Sequence, residues 1–100
     1  GISVSQTSDI NVKGADVLYV CRIQKERFSD QYEGEKMQRE FRVDLNTLKN
    51  ADQSLAILHP LPKVYEIPPE VDSDPRAKYF EQAKNGVPVR MAVLNLASRG

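Results

Sequence analysis

The chain alternates short apolar runs with long polar stretches, and the runs predict strands. Ile2 and Val4 alternate with Ser3 and Ser5, the period-2 signature of a half-buried strand. Residues 17–20 (Val-Leu-Tyr-Val) and 55–58 (Leu-Ala-Ile-Leu) are apolar at every position. Short continuous runs with β-branched members suit strands buried on both faces, the condition of a parallel sheet. The 34 residues from 21 to 54 are enough for a right-handed crossover between them. Within that stretch, residues 33–41 are mostly helix formers and predict one helix. Asp44 reads as the N-cap of another over 45–51, with Leu45 and Leu48 on one face. The polar residues 28–33 predict a mobile surface loop.

Beyond His59 the pattern changes, because Pro60, Pro62, Pro68 and Pro69 forbid a helix or a central strand there. Ser73-Asp74-Pro75 predicts a helix start, with Asp74 as N-cap and Pro75 at the first position. That helix is expected to run to about Lys84, burying Tyr79, Phe80 and Ala83, with Asn85-Gly86 as its stop. Pro88 opens a second helix, residues 88–97, in which Val87, Met91 and Leu94 form one apolar stripe. The reading is α/β, part of a parallel-sheet domain with C-terminal helices. So few strands make half of a layered α/β domain and leave that stripe uncovered.

Composition narrows the class. With 100 residues the chain is one domain at most, and about 60–65% of its unfolded surface can be buried on folding. Fourteen basic and fourteen acidic residues cancel, without the basic excess that nucleic-acid or membrane-surface binding requires. No apolar run approaches the roughly 20 residues of a membrane span. Cys21, the single cysteine, excludes an internal disulfide framework and fits a reducing, cytoplasmic compartment. The first residues have neither an initiator Met nor a basic n-region, so the expectation is no secretory signal and a chain cut from within a longer one.

Candidate chemistry lies just past the strands. Ligands of open parallel sheets bind beyond the carboxyl ends of the strands. Residues 21–27 and 59–62 both occupy such positions, so neighbouring strands would bring them to one crevice. In the first segment, extended backbone puts Arg22 and Gln24 on the same side, where an Arg fork and an amide can hold a dicarboxylic amino acid, although composition alone favours a solvated charged surface for the whole segment. Lys25, Glu26 and Arg27 read as a solvated charged turn. In the second, the alternating prolines leave the carbonyls of Pro60 and Leu61 without ladder donors, open to an amide or amine ligand. His59, the sole histidine, reads as a hydrogen-bonded structural residue, and Cys21 as a buried, inert thiol. There is no metal-ligand spacing, P-loop or dinucleotide fingerprint, so neither a metal nor a cofactor is expected.

Four long stretches are more specific. They are Asp16-Val-Leu-Tyr-Val-Cys-Arg-Ile-Gln-Lys-Glu-Arg-Phe28 with Leu58-His-Pro-Leu-Pro-Lys-Val-Tyr-Glu-Ile67, then Val71-Asp-Ser-Asp-Pro-Arg-Ala-Lys-Tyr-Phe-Glu-Gln-Ala83, then Asn85-Gly-Val-Pro-Val-Arg-Met-Ala92. In order and spacing, from about residue 14 to 96, the chain resembles the aspartate carbamoyltransferase family, over the later part of its aspartate domain. The resemblance implies a three-layer, Rossmann-like fold and transfer of a carbamoyl group from carbamoyl phosphate to L-aspartate in pyrimidine synthesis. By it, Arg22 and Gln24 bind aspartate. The backbone of Pro60 and Leu61 accepts from the carbamoyl amino group, Leu61–Pro62 is a cis bond, and Tyr32 sits in a flap that closes over the substrates.

The resemblance further implies a homotrimer of catalytic chains. It also implies a carbamoyl-phosphate domain, against which the helix at 88–97 packs. The family's phosphate-binding loop, carbonyl-polarising histidine and neighbour-donated lysine are not in this chain, so no catalytic residue is assigned here and the isolated chain is expected to be inactive. Three positions depart from the pattern. Cys21 replaces Thr, Lys63 replaces Arg, and Tyr65 stands where an Asp commonly tethers the flap tyrosine. The rival readings are a non-catalytic transcarbamylase-like interaction module and an ornithine-type transcarbamylase. Arg22 and the His-Pro-Leu-Pro run disfavour the latter.

Overall fold

The computed structural model of the chain describes residues 1–22 and 29–99, with only the backbone at Gln38. β1 (Val17–Tyr19) and β2 (Ala56–Leu58) pair in parallel, Val17 opposite Ala56, Leu18 opposite Ile57 and Tyr19 opposite Leu58. The pairing continues one step past β1, where the Val20 N–H donates to the Leu58 carbonyl at 2.9 Å. Across the other edge of β2, Ala77 adds a one-residue parallel bridge to Ile57. There the Ile57 N–H donates to the Arg76 carbonyl at 2.8 Å, and the Lys78 N–H donates to the Ile57 carbonyl at 2.9 Å. β2 is therefore the inner element, which is why Ile57 is completely buried.

The crossover contains α1 (Gln31–Glu40) and a 3-10 turn, Thr47–Asn50. Asp30 caps α1 by accepting the Tyr32 N–H at 3.0 Å, so the helix starts two residues earlier than the sequence pattern predicts. Residues 31–33, expected in a loop, form its first turn. Asp44 does act as a cap, accepting the Thr47 N–H at 2.9 Å, but the element it starts is one tight turn. Leu48 at its centre is driven fully into the core with Val43, Leu55, Ile57, Ile67, Val71 and Tyr79.

Three expectations are corrected here. Ile2 and Val4 form no strand and are exposed, because among the described residues no neighbouring edge offers them hydrogen bonds. β1 is not buried on both faces: Leu18 packs against the core, while Val17 and Tyr19 are 56% and 54% exposed. The described residues cover that face with no second layer. Ser73-Asp74-Pro75 does not start a helix either. A 3-10 turn, Pro69–Ser73, ends there, and Asp74 accepts the Arg76 N–H at 2.9 Å, turning the chain into the Ala77 bridge.

The two predicted C-terminal helices are one, α2 (Tyr79–Ser98), with Pro88 inside it. Proline at 88 withholds a single bond, to the carbonyl four residues back, and the helix continues around it. Gly86 does not adopt the left-handed conformation that would stop a helix; Gly14, in the turn before β1, does (φ 75°). Gly86 instead makes room for a neighbour, since a Cβ there would lie 3.1 Å from the Arg90 guanidinium. Tyr79 is buried at the start of α2, as expected, but Phe80 is exposed. Val87, Met91 and Leu94 are exposed as well, along with Val89, Val93 and Leu96.

Candidate functional site

Parallel pairing of β1 and β2 brings the ends of both strands to the same edge of the sheet. Cys21 and Arg22 leave β1 there, and His59 and Pro60 leave β2. Arg22 is exposed and so is Cys21, contrary to the expected buried thiol, because the chain emerges from the core directly after Val20. Gln24, with Lys25, Glu26 and Arg27, lies outside the described residues.

The turn after β2 is built around His59, which is 1% exposed. Its backbone N–H donates to Gln82 Oε1 of α2 at 2.9 Å. Its ring Nδ1 lies 2.8 Å from the Leu61 N–H and its Nε2 lies 2.7 Å from Glu66 Oε1. Since Leu61 can only donate, Nδ1 is the acceptor and the ring proton resides on Nε2, facing the carboxylate. Glu66, 3% exposed, also accepts the Val64 N–H at 3.3 Å, and its own carbonyl accepts the Val43 N–H at 2.7 Å. The backbone N–H and both ring nitrogens of the histidine are thus hydrogen-bonded within the fold, as its isolation in the sequence suggests.

Between these anchors Leu61 takes φ 58°, a left-handed conformation uncommon outside glycine, and the Leu61–Pro62 peptide is cis. Pro60 and Pro62 are exposed and Leu61 is half-buried. Among the described residues no hydrogen bond uses the Pro60 or Leu61 carbonyl, which leaves two strong acceptors at the strand ends. A cavity of about 460 Å³ opens beside Pro60, walled by Gln82, Asn85, Gly86 and Arg90 of α2.

The far side of the turn is held by charge. Lys63 Nζ donates to Asp72 at 3.1 Å and to the Ile67 carbonyl at 3.3 Å, and lies 5.8 Å from the centre of the Tyr79 ring. The buried Tyr79 hydroxyl donates to the same carboxylate at 2.5 Å. Burial, reinforced by Asp72, pushes the Tyr79 phenol well above its usual range. Burial also acts to raise Asp72, but the bonds from Tyr79 and Lys63 prevail and hold its carboxyl below the usual value. Lys63 thus presents a cation to Asp72. Tyr65 and Tyr32 are both exposed, Tyr32 in the first turn of α1.

Sequence reasoning located the turn but missed Glu66 and Gln82, which lock it. Glu66 had a signal, as an acidic residue wedged between Val64 and Ile67 in an otherwise apolar stretch. Gln82 had none, since its partner is a backbone N–H 23 residues away.

The aspartate/ornithine carbamoyltransferase Asp/Orn binding domain profile matches residues 1–97. The aspartate carbamoyltransferase catalytic subunit of Hyperthermus butylicus is 63% identical over 82 residues, 81% of this chain and 26% of that protein. The catalytic subunit of M. jannaschii aspartate transcarbamoylase superposes with a TM-score of 0.71 at 49% identity, over 79% of this chain and 26% of its own. The Trypanosoma cruzi aspartate transcarbamoylase, solved with carbamoyl aspartate and phosphate, gives 0.75 at 36% identity, over 88% and 29%. The chain thus spans about a third or less of the length of the relatives it matches. The profile covers nearly the whole chain, and the relatives and solved structures agree with it: the chain belongs to the aspartate/ornithine carbamoyltransferase family, in the Asp/Orn binding domain.

Proposed function

We propose that this chain is the aspartate-binding part of an aspartate carbamoyltransferase. That enzyme moves the carbamoyl group of carbamoyl phosphate onto L-aspartate, giving N-carbamoyl-L-aspartate and phosphate for pyrimidine synthesis. The observation that carries the reading is the convergence, at one edge of the sheet, of Arg22 with a turn that leaves the Pro60 and Leu61 carbonyls as acceptors. A guanidinium fork suits a carboxylate of aspartate, and carbonyl acceptors suit the amino group of a carbamoyl donor. The likeness to a transcarbamoylase solved with carbamoyl aspartate and phosphate, the two products of this transfer, supports the same reaction.

In this reading Arg22 and Gln24 bind aspartate. Pro60 and Leu61 orient the carbamoyl group through their carbonyls, and Pro62 shapes the turn. The aspartate amine attacks the carbamoyl carbon, a tetrahedral intermediate forms, and its C–O bond to phosphate breaks as the nitrogen loses a proton. Positioning and charge stabilisation supply most of the rate. The groups that bind phosphate and polarise the carbonyl belong to a carbamoyl-phosphate domain, on which the exposed apolar side of α2 packs. The working form is a cytoplasmic homotrimer of catalytic chains.

The test is an assay of the polypeptide carrying this domain, with labelled carbamoyl phosphate and either aspartate or ornithine. Labelled carbamoyl aspartate is expected. Citrulline, or no product from either amino acid, would overturn the reading, the second in favour of a non-catalytic module.

A further inference from the structure

We propose that His59 is a positioning residue for carbamoyl transfer, setting the direction of the Pro60 carbonyl through the Leu61 N–H. This rests on the carbonyl role given to Pro60 above. The Pro60–Leu61 peptide is planar and trans, so its C=O and N–H point in opposite directions. Its N–H points inward, donating to the buried His59 Nδ1 at 2.8 Å. Its C=O therefore points away from the histidine, outward. Whatever fixes the N–H also aims the carbonyl.

His59 can do this only as one tautomer, with the proton on Nε2 and Nδ1 free to accept. Glu66 selects that tautomer by taking the Nε2 proton into a 2.7 Å bond. The carboxylate is itself held by the Val64 N–H, and the His59 backbone by Gln82. Leu61 sits at φ 58°, a left-handed conformation that is costly for an L-residue and persists only where the surroundings hold it. The bond to Nδ1 is the side-chain contact that holds its N–H. A histidine that merely filled the core would require neither a set tautomer nor this bond.

Two substitutions separate the roles, because an Asn amide reaches the place of Nδ1 and a Gln amide the place of Nε2. His59→Asn keeps an acceptor for Leu61. His59→Gln keeps only the contact with Glu66. In the polypeptide carrying this domain, His59→Gln is expected to raise the KM for carbamoyl phosphate about tenfold and speed hydrogen exchange at the Leu61 amide by at least as much. His59→Asn should stay within about threefold on both, and the KM for aspartate should move less than that for carbamoyl phosphate. Equal effects of the two variants, or no effect of His59→Gln, would overturn the proposal. If His59→Gln does not fold, Glu66→Ala tests the same link by freeing the ring, with Glu66→Gln as the conservative control that keeps the acceptor. A wild-type protein without carbamoyltransferase activity would overturn the proposed function alone, and the Leu61 exchange pattern would still decide whether His59 positions the turn.

Discussion

The Arg76 guanidinium grips the Asp74 carboxylate with two prongs, Nε to Oδ1 at 3.0 Å and Nη2 to Oδ2 at 2.8 Å. Its remaining nitrogen donates to the carbonyls of Leu48 and Ala51, at 3.1 and 3.4 Å. One side chain therefore ties the Ala77 bridge to the end of the 3-10 turn Thr47–Asn50, and both partners are 11% exposed. Arg76→Ala leaves a mostly buried carboxylate and two carbonyls without their donor. It should destabilise the fold by about 3 kcal/mol. Arg76→Lys keeps the charge without the fork and should recover less than half of that. Urea unfolding of both variants checks the order.

The same pair fixes the behaviour in acid. Arg76 holds the Asp74 carboxyl below its ordinary value of 3.8, against an opposing push from burial. The Thr47 N–H does the same for Asp44, and Asp72 is also lowered. A folded-state pKa below the unfolded one adds stability that is complete above the unfolded value and lost as pH falls through the folded one. These three carboxyls should leave stability flat on their account above about pH 5 and let it fall below about pH 4. Asp74→Asn should shrink that fall. Thermal unfolding between pH 2 and 6, wild type against variant, reads it directly.

Tyr79 offers a spectroscopic check. Its phenol is pushed far above the usual range, first by burial and then by Asp72, so it should stay protonated at pH 11 in the folded state. Absorbance titration at 295 nm should gain one tyrosine on unfolding, and Tyr79→Phe should abolish that increment. The substitution keeps the ring and removes the bond to Asp72, so it should cost about 1 kcal/mol.

Much of the sheet was legible because it depends on local pattern. Residues 17–20 and 55–58 are apolar runs, and both contain the strands that pair. The elements misread are those decided by distant partners. Ile2 and Val4 have a strand's alternation but no edge to join. Asp74 and Pro75 have the composition of a helix start, yet Asp74 serves Arg76 and the chain goes into a bridge with Ile57. Asn85, Gly86 and Pro88 resemble a break, but one lost hydrogen bond does not end a helix of this length. At the site, the order of residues revealed the proline turn, whereas the bonds that His59 makes to Glu66 and to Gln82 join residues that only folding brings together.

Arg22 leads away from β1 beside the turn after β2, and the aspartate role proposed for it has a direct kinetic consequence. Removing a charge-assisted contact costs roughly 1.5–3 kcal/mol. Arg22→Ala in the polypeptide carrying this domain should therefore raise the KM for aspartate at least about tenfold, with the KM for carbamoyl phosphate changed less than about threefold. An unchanged aspartate KM would remove the assignment.

The exposed stripe on α2 makes the last prediction. Val87, Met91 and Leu94 are 55%, 65% and 70% exposed, so they bury little within these 100 residues. Met91→Glu with Leu94→Glu should leave the unfolding temperature of the isolated chain within about 2 °C while suppressing its self-association and its binding of hydrophobic dyes. In the polypeptide that carries this domain, where α2 is proposed to pack on the carbamoyl-phosphate domain, the same pair should cost about 3 kcal/mol or more, since two charges would replace buried apolar side chains. Sedimentation velocity and thermal scans on both lengths separate the cases. A large loss in the isolated chain would mean that the stripe already packs within it. No loss in the longer one would mean that nothing covers it there.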